Sequence, residues 1–270
     1  MPTPAKVRLH VFLAQRAATG VILRFGPAKW VEMIRWDIRK DEFERGQWFH
    51  GRVYPERCDI SPDGKHFLYF AGNWKPGNED TGYTATWTAL SRPPYFTAIG
   101  LWRLGDTWSG GGLFLDDTTI QLHHPGMGAH PRHPAEGFRV LLGYGNSEER
   151  RVRRGWSREP VIFNKLNRFG KMRLLAGNPD WALLNHYSVS KISREREATL
   201  TTFSANWADW DQSGRLVAVQ DGKLLSLSFD RRLAPQWIEL ADFTADKFRE
   251  VRPPKEDAHF TTKRRKPWAV

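Results

Sequence analysis

Short runs of apolar and aromatic residues, each preceded by a turn-forming segment, recur along the chain. The clearest example extends from Cys58 to Ala71, where the turn Ser61-Pro62-Asp63-Gly64 precedes the run Phe67-Leu68-Tyr69-Phe70. Asp accepts backbone hydrogen bonds in such turns, Gly adopts positive φ, and an uninterrupted apolar run is typical of a strand buried on both faces. This stretch predicts a β-hairpin that leads into a buried strand.

Other segments also place a short polar turn between two apolar runs. Together with the first, these turns centre on residues 27, 62, 116, 179 and 212. The intervals of 35, 54, 63 and 33 residues average about 46, which agrees with the blade period of propellers. The two long intervals contain insertions rich in Gly and Pro, residues 73–82 and 126–158.

The last part of the chain predicts a compact meander. Residues 215–219, 223–229 and 236–240 indicate three successive strands, with residues 202–210 as a fourth before them. We expect residues 7–13 to form a strand that completes this last unit and so closes a ring. One short helix is predicted over residues 241–250, with Thr244 as its N-cap.

Two segments carry a resemblance to a known class of repeat. The turn Ser61-Pro62-Asp63-Gly64 with its strand, and Asp211-Gln212-Ser213-Gly214 followed by Leu216-Val217-Ala218-Val219, resemble the Ser-Pro-Asp-Gly repeats of TolB-like and tryptophan-aspartate-like β-propellers. The resemblance implies an all-β fold, a single five-bladed propeller with four-stranded antiparallel blades. We expect residues 1–254 to form this domain and residues 255–270 to form a basic, loosely ordered tail.

Composition adds to this picture. The 13 Trp and 16 Phe residues favour β structure, and a single cysteine excludes an internal disulfide. No apolar run approaches membrane-spanning length and no signal-peptide core is recognisable, so we expect a cytoplasmic protein that does not contact membranes. The net charge of +11 favours partners that carry negative charge, including nucleic acid and acidic proteins.

A basic and aromatic cluster lies within the second insertion. It consists of Arg151, Arg153, Arg154, Trp156 and Arg158. Arginine beside tryptophan can bind phosphates while an aromatic ring stacks on a base, so this cluster is a candidate partner-binding site that includes nucleic acid among its partners. The alternative is a solvated insertion with no specific ligand. The same two interpretations apply to the basic tail at residues 263–266.

Four histidines lie close together just before and within the same insertion. They are His123, His124, His130 and His133. Imidazole is a common metal ligand, so the four are a candidate zinc site. Because the spacing matches no metalloenzyme pattern and prolines mark an exposed loop, we expect no cofactor, with zinc as the alternative.

The sequence offers acids but no convincing catalytic set. The acids near strand ends and turns are Asp37, Asp59, Asp106, Asp116, Asp117, Asp180, Asp209 and Asp211. A glycosidase would need two such groups facing each other in the central funnel, whereas turn capping already explains aspartate at these positions. Cys58 is predicted to be a small core residue.

We therefore predict a non-enzymatic binding platform, whose face loops engage a protein or other macromolecular partner. Two alternatives stay open. One is a nucleic-acid-binding propeller that uses residues 150–158 and the tail, and the other is a glycosidase-like or metal-dependent hydrolase with its site in the funnel.

Overall fold

The chain folds into an all-β protein in the computed structural model, which describes residues 7–74, 83–123, 128–143, 147–159, 162–177, 185–193, 196–230 and 232–255. The strands of this part form five separate sheets, and within each sheet the strands lie side by side in chain order apart from β6. The all-β prediction is confirmed.

The first sheet contains β1 (Arg8–Leu13), β2 (Thr19–Phe25), β3 (Trp30–Asp37) and β4 (Glu42–His50). The second contains β5 (Arg52–Val53), β6 (Asp59–Ile60), β7 (Phe67–Gly72), β8 (Thr86–Ser91) and β9 (Ala98–Arg103), with β5 and β6 both paired to β7. The third contains β10 (Gly112–Phe114), β11 (Thr119–Leu122) and β12 (Arg139–Leu142).

The fourth sheet contains β13 (Ser157–Glu159), β14 (Ile162–Leu166), β15 (Met172–Gly177), β16 (Asn185–Ile192) and β17 (Glu197–Ala205). The fifth contains β18 (Trp207–Trp210), β19 (Leu216–Gln220), β20 (Lys223–Phe229) and β21 (Pro235–Asp242). Neighbouring strands are antiparallel, and β12 is parallel to β11. A 3₁₀ turn (Pro55–Arg57) precedes β6, and helix α1 (Ser147–Arg153) precedes β13.

Apolar side chains on both faces of the inner strands join neighbouring sheets. In β7, Phe67 and Tyr69 pack into a core shared with the first sheet, whereas Leu68 packs into a core shared with the third. This alternation follows from the two-residue period of a strand. Further clusters join the fourth sheet to the fifth and the fifth to the first. Each sheet in these pairs therefore covers apolar surface that its neighbour would otherwise expose to water.

A turn between two consecutive strands near the start of each sheet repeats in the structure. It spans residues 14–19, 61–66, 115–119, 167–172 and 211–215, closed in each case by a backbone hydrogen bond between the end residues. In three of these turns, Gly64, Gly170 and Gly214 donate their N–H to the carbonyl three residues earlier and have positive φ. A glycine is required there because other residues rarely adopt this conformation.

Two of the five turns predicted from the sequence are not copies of this repeated turn. The turn at residue 27 joins β2 to β3, and the equivalent turn of the first sheet is at residues 14–19. The turn at residue 179 lies outside the described residues, between β15 and β16, and the equivalent turn of the fourth sheet is at residues 167–172. Pro27 and Pro179 mark breaks in the apolar pattern of the sequence, but the repeated turn of these two sheets lies elsewhere.

Three other predicted elements differ from the structure. The strand at residues 7–13 pairs with β2 in the first sheet instead of completing the last one. The predicted strand at 202–210 is two strands, β17 and β18, with Asn206 between them. Residues 243–250 form turns and irregular backbone, because Thr244 donates its hydroxyl to Asp242 Oδ1 instead of capping a helix.

The first and fifth sheets are joined by side chains. Val217, Val219 and Phe243 pack against residues of β1, β2 and β3. Arg215 Nη1 and Nη2 lie 2.7 and 2.9 Å from the two carboxylate oxygens of Asp41, and Nε lies 2.8 Å from Asp211 Oδ2. The two carboxylates raise the pKa of Arg215 above its ordinary value. This bidentate pairing fixes the two sheets relative to each other.

No helix of the described residues is both long and apolar enough to cross a membrane.

Gly64 and Gly170 provide a matched test of the repeated turn. Both have positive φ, but a Cβ at Gly64 would lie 2.8 Å from Cβ of Thr19, whereas a Cβ at Gly170 meets nothing within 4 Å. We expect Gly170→Ala to lower the free energy of unfolding by about 1 kcal/mol through backbone strain. Gly64→Ala should lower it by a further ~1–3 kcal/mol through the clash. Urea unfolding measures both losses. Equal losses would contradict a close contact between Gly64 and Thr19, which belong to the turns of two different sheets.

A buried carboxyl lies close to the junction of the first and fifth sheets. Glu32 in β3 is 2 % exposed, and its Oε2 has no hydrogen-bond partner among the described residues. Burial, together with the nearby Asp246 carboxylate, raises the pKa of Glu32 to about 7, although Arg45 and Arg24 oppose the effect. The folded protein therefore holds a proton on Glu32 at a pH where the unfolded chain does not.

We expect this carboxyl to make stability fall as pH rises. Between pH ~4.5 and ~7 the folded state binds one more proton than the unfolded state, so the free energy of unfolding decreases through this window and levels off above it. The loss should be about 3 kcal/mol, and Glu32→Gln should remove it. Urea unfolding at several pH values measures the effect, with the exposed Glu44→Gln as control. A pH dependence that Glu32→Gln leaves unchanged would refute this assignment.

Candidate active site

A cavity of about 820 Å³ opens where β1, β5 and β18 begin. Its walls come from separate parts of the chain: residues 8–10, 25–26, 28–31, 50–56, 72–74 and 206. The volume lies within the range of sites that hold small molecules. Since the lining comes from the loop into β5, the turn between β2 and β3, and the end of β7, the arrangement of the sheets forms the cavity.

Positive charge dominates the described lining. Arg8, Lys29 and Arg52 are cationic and exposed, against one carboxylate, Glu56. The Arg52 guanidinium lies 4.7 Å from the ring centroid of Tyr54, a contact that orients the cation over an aromatic face. Because the cavity wall lowers the effective dielectric around these groups, they attract anionic ligands more strongly than the same cations on a flat surface.

Aromatic rings line the same cavity. They include Trp30, Tyr54 and Trp74, and Trp74 is 54 % exposed. The ring of Trp30 is held between His50 and Phe248, with both centroids 4.7 Å away. Flat apolar faces beside cations suit a ligand that combines a negative group with a ring.

Two imidazoles, those of His10 and His50, complete the lining. Burial, followed by the charges of Arg154, Arg150 and Arg151, lowers the pKa of His10 to about 3. His10 is therefore neutral at physiological pH and presents one hydrogen-bond donor and one acceptor. His50 is half-buried, and its ring is tilted by 56° to that of Trp30. Its imidazole lies beside the cavity, and imidazole is a group that can transfer protons.

Helix α1 and the residue that follows it place arginine side chains against edge strands of several sheets. Arg154, directly after the helix, donates from Nη2 to Asp59 Oδ1 at 2.5 Å, and its guanidinium lies 5.4 Å from the ring centroid of Phe12. The other carboxylate oxygen of Asp59 accepts the N–H of Phe114 at 2.8 Å. Arg154 thereby contacts β1 and β6 at the same time.

Arg150 reaches the same region from within the helix. It is 9 % exposed, and burial lowers the pKa of Arg150 below its ordinary value. Its guanidinium donates to the carbonyl of Gly112 at 3.1 Å and also to the carbonyl of Glu56, a residue of the cavity wall. The charges of α1 thus lie directly behind the candidate active site.

The structure separates the five residues predicted to bind a partner. Trp156 is buried and donates from Nε1 to Asp209 Oδ2 at 3.3 Å, and Arg154 is held by Asp59. Each of the remaining three arginines contacts a different side chain of the protein. Arg151 is 4.8 Å from the Phe163 ring centroid, Arg153 is 3.3 Å from Glu149, and Arg158 is 2.5 Å from Glu148. Partner binding by this set stays a prediction.

Two of the four predicted zinc ligands lie together. The rings of His130 and His133 are 5.5 Å apart, and that of His130 stacks on Tyr83 at 4.8 Å. His133 bonds Tyr83 Oη through Nε2 and the carbonyl of Ala98 through Nδ1. His123 lies at the end of β11, and His124 is outside the described residues. Among the residues described, no group of three or more His, Cys, Asp or Glu could hold a metal ion.

Most of the candidate acids serve the fold. Asp37, Asp106, Asp116 and Asp211 accept N–H bonds from residues two to four positions later, as turn capping predicts. Asp117 instead accepts the N–H of Asp63 at 3.0 Å and pairs with Arg16, and so links two turns. Asp180 is outside the described residues.

Two further candidate residues are Asp209 and Cys58. Asp209 pairs with Lys165 at 2.7 Å and lies in a second, smaller cavity. Cys58 is 1 % exposed, and burial raises the pKa of its thiol to about 12, which agrees with a core residue.

The residues that line the candidate active site were not found from the sequence. Arg8, His10, Lys29 and Arg52 are isolated in the chain and belong to no motif. The available signal was weak. These residues lie at the start of first strands or in the turn from a second to a third strand, and that position can be recognised only when the strand order is known.

No family model and no curated protein matches this sequence. Solved structures that resemble the chain include a prolyl endopeptidase, at 14 % identity and a TM-score of 0.24, which covers 87 % of this chain and 28 % of its own. A second is prolyl oligopeptidase B from Galerina marginata, at 9 % identity and a TM-score of 0.22, where the match covers 87 % of this chain and 29 % of the peptidase. A third is an oligogalacturonate lyase, at 10 % identity and a TM-score of 0.26, where the match covers 93 % of this chain and 83 % of the lyase. The chain thus spans less than a third of the two peptidases.

The proteins just named are enzymes. The prediction of a non-enzymatic binding platform is corrected because the structure removes its physical basis. The second insertion was expected to be an exposed binding loop, but His130, His133, Arg150 and Trp156 within it are buried. The first insertion lies almost entirely outside the described residues.

The pair between Asp59 and Arg154 gives a stability test. Asp59→Asn leaves the buried guanidinium without its counter-charge, and we expect the free energy of unfolding to fall by ~3–5 kcal/mol. Glu42→Gln, which removes an exposed carboxylate 3.8 Å from Lys40, should change it by less than about 1 kcal/mol. Denaturant titrations of both variants make the comparison. Losses of similar size would show that the buried pair has no special role.

Proposed function

We propose that this protein is a hydrolase that acts on a small anionic substrate in the cavity lined by Arg8, His50 and Arg52. The observation that supports this most directly is the lining itself, in which three cations, four aromatic rings and two imidazoles surround about 820 Å³. Cations stabilise the negative charge that develops on oxygen during ester hydrolysis. Imidazole transfers the proton of the attacking water or of the leaving group.

We also propose that the five sheets are the blades of a propeller, with β1, β6, β10, β14 and β18 around its axis. The apolar clusters support this arrangement, because they join the first sheet to the second, the second to the third, the fourth to the fifth and the fifth to the first. The candidate active site would then lie at one mouth of the axial funnel.

Each part of the lining has a role in this proposal. Arg52, with Arg8 and Lys29, binds the anionic group, and Trp30 and Trp74 pack against the ring of the substrate. His50 acts as the general base that takes a proton from water, and neutral His10 donates a hydrogen bond to an oxygen of the substrate. The bond between water oxygen and the ester centre forms as the bond to the leaving oxygen breaks.

The described lining favours ester hydrolysis over the glycosidase form of the earlier alternative. Glycosidases of the usual kind place two carboxyl groups on either side of the bond they cleave. Glu56 is the one carboxylate among the described lining residues. With one acid and an excess of cations, the cavity is better suited to a negatively charged ester, such as a phosphoester.

Activity measurements test this proposal. We expect turnover of p-nitrophenyl phosphate and little turnover of the neutral p-nitrophenyl acetate. Arg52→Ala should raise KM for the anionic ester about 10- to 100-fold, because it removes a charged hydrogen-bond donor. His50→Gln should lower kcat about 10²- to 10⁴-fold while KM changes little.

The matched control is Arg35→Ala, which removes an exposed arginine of β3 that lies outside the cavity. It should leave kcat and KM unchanged. Turnover that is equal for the anionic and the neutral ester, or that survives Arg52→Ala and His50→Gln together, would refute the proposal.

A further inference from the structure

A second cavity lies at the opposite ends of β1 and β18. It has a volume of about 350 Å³ and opens beside Leu13, Trp210 and Asp211, where β1 and β18 end. The candidate active site lies where these strands begin. Since β1 has six residues, the length of the strand separates the two cavities by about 17 Å. They are therefore distinct sites at opposite ends of the strands.

The second cavity is lined by more cations than acids. Arg153, Arg154, Lys165 and Arg168 face Asp209 and Asp211. The acids are already neutralised. Lys165 Nζ lies 2.7 Å from Asp209 Oδ1, and Asp211 accepts bonds from Arg215. Because Arg154 pairs with Asp59, the excess positive charge resides on Arg153 and Arg168 at the mouth of the cavity.

These two arginines have little internal compensation. Arg153 lies 3.3 Å from Glu149, but both side chains are more than a third exposed, so this pair contributes little. Arg168 donates from Nη1 to the carbonyl of Gln212 at 2.6 Å, and its guanidinium lies 5.0 Å from the Phe169 ring centroid. A carbonyl and a ring orient the guanidinium without cancelling its charge.

The floor of the cavity is held in place by its own contacts. The side chains of Lys165 and Arg154 are only 15 % and 19 % exposed, and Lys165 Nζ lies 5.8 Å from the Trp156 ring centroid. Gln15 donates from Nε2 to the carbonyl of Arg153 at 2.7 Å and so fixes the chain beside the mouth. Donors that are already fixed bind a ligand with a smaller loss of conformational entropy.

We infer that this cavity is a binding site for a small, multiply charged anion that carries phosphate or carboxylate groups. The excess charge selects an anion, and the volume of about 350 Å³ limits the ligand to a small molecule. Arg153 and Arg168 provide the planar donor pairs that match phosphate and carboxylate oxygens. The site is independent of the hydrolase proposed for the other cavity.

Calorimetric titration of the full chain with inorganic pyrophosphate tests this inference. We expect saturable binding of one ion per chain that weakens as salt is raised. Arg153→Ala and Arg168→Ala should each weaken binding about 10-fold, since each removes one charge-assisted donor. Both residues are exposed, so neither substitution should affect folding. Arg139→Ala, which removes an exposed arginine of β12 that lines neither cavity, is the matched control and should change affinity less than about twofold.

Variants of the other cavity distinguish the two sites. If Arg52→Ala abolishes pyrophosphate binding while Arg153→Ala and Arg168→Ala leave it unchanged, the ion binds in the candidate active site and the inference is wrong. Absence of saturable binding up to about 10 mM pyrophosphate would overturn it as well. A single-stranded oligothymidylate that displaces pyrophosphate and binds more tightly would overturn the restriction to small molecules. Loss of hydrolase activity in His50→Gln would have no bearing on these results.

Discussion

The position of helix α1 depends on the neutralisation of arginine side chains by one aspartate. Arg154 and Arg150 reach edge strands of three sheets, where the desolvation of an unpaired guanidinium would cost several kcal/mol. Asp59 and the carbonyls of Gly112 and Glu56 accept the hydrogen bonds that make this burial possible. Helix α1 can therefore pack against these sheets, although their apolar faces alone would leave its arginines without hydrogen-bond acceptors.

The same arrangement determines the electrostatics of both cavities. His10 borders the larger cavity and is kept neutral by burial and by the arginines of α1, whereas Arg154 borders the smaller one directly. One cluster of cations thus lies between two openings and contributes positive potential to each. Both cavities are accordingly suited to anions, although they share no lining residue and differ more than twofold in volume.

Local pattern was sufficient to predict the strands but not the sites. The apolar run of β7 and the turn at Ser61 to Gly64 were recognised because neighbouring residues encode them. The fourth-sheet turn carried the same signal, with Asn167 and Gly170 spaced as are Asp211 and Gly214, but the more conspicuous Pro179 obscured it. Arg154 and Trp156 look like a surface cluster in the sequence. Their partners Asp59 and Asp209 are 95 and 53 residues away, and no local pattern reports such pairing.

The junction between the first and fifth sheets has a mechanical consequence. Elsewhere the chain itself connects one sheet to the next, and between the fourth and fifth sheets the connection is a single residue, Asn206. At the junction of the first and last sheets, the described residues make the connection through side chains, namely the apolar cluster around Phe243 and the Arg215–Asp41 pair. The described sheets could separate there without breaking any strand pairing. Opening under force or heat would therefore begin at this seam and leave each sheet intact.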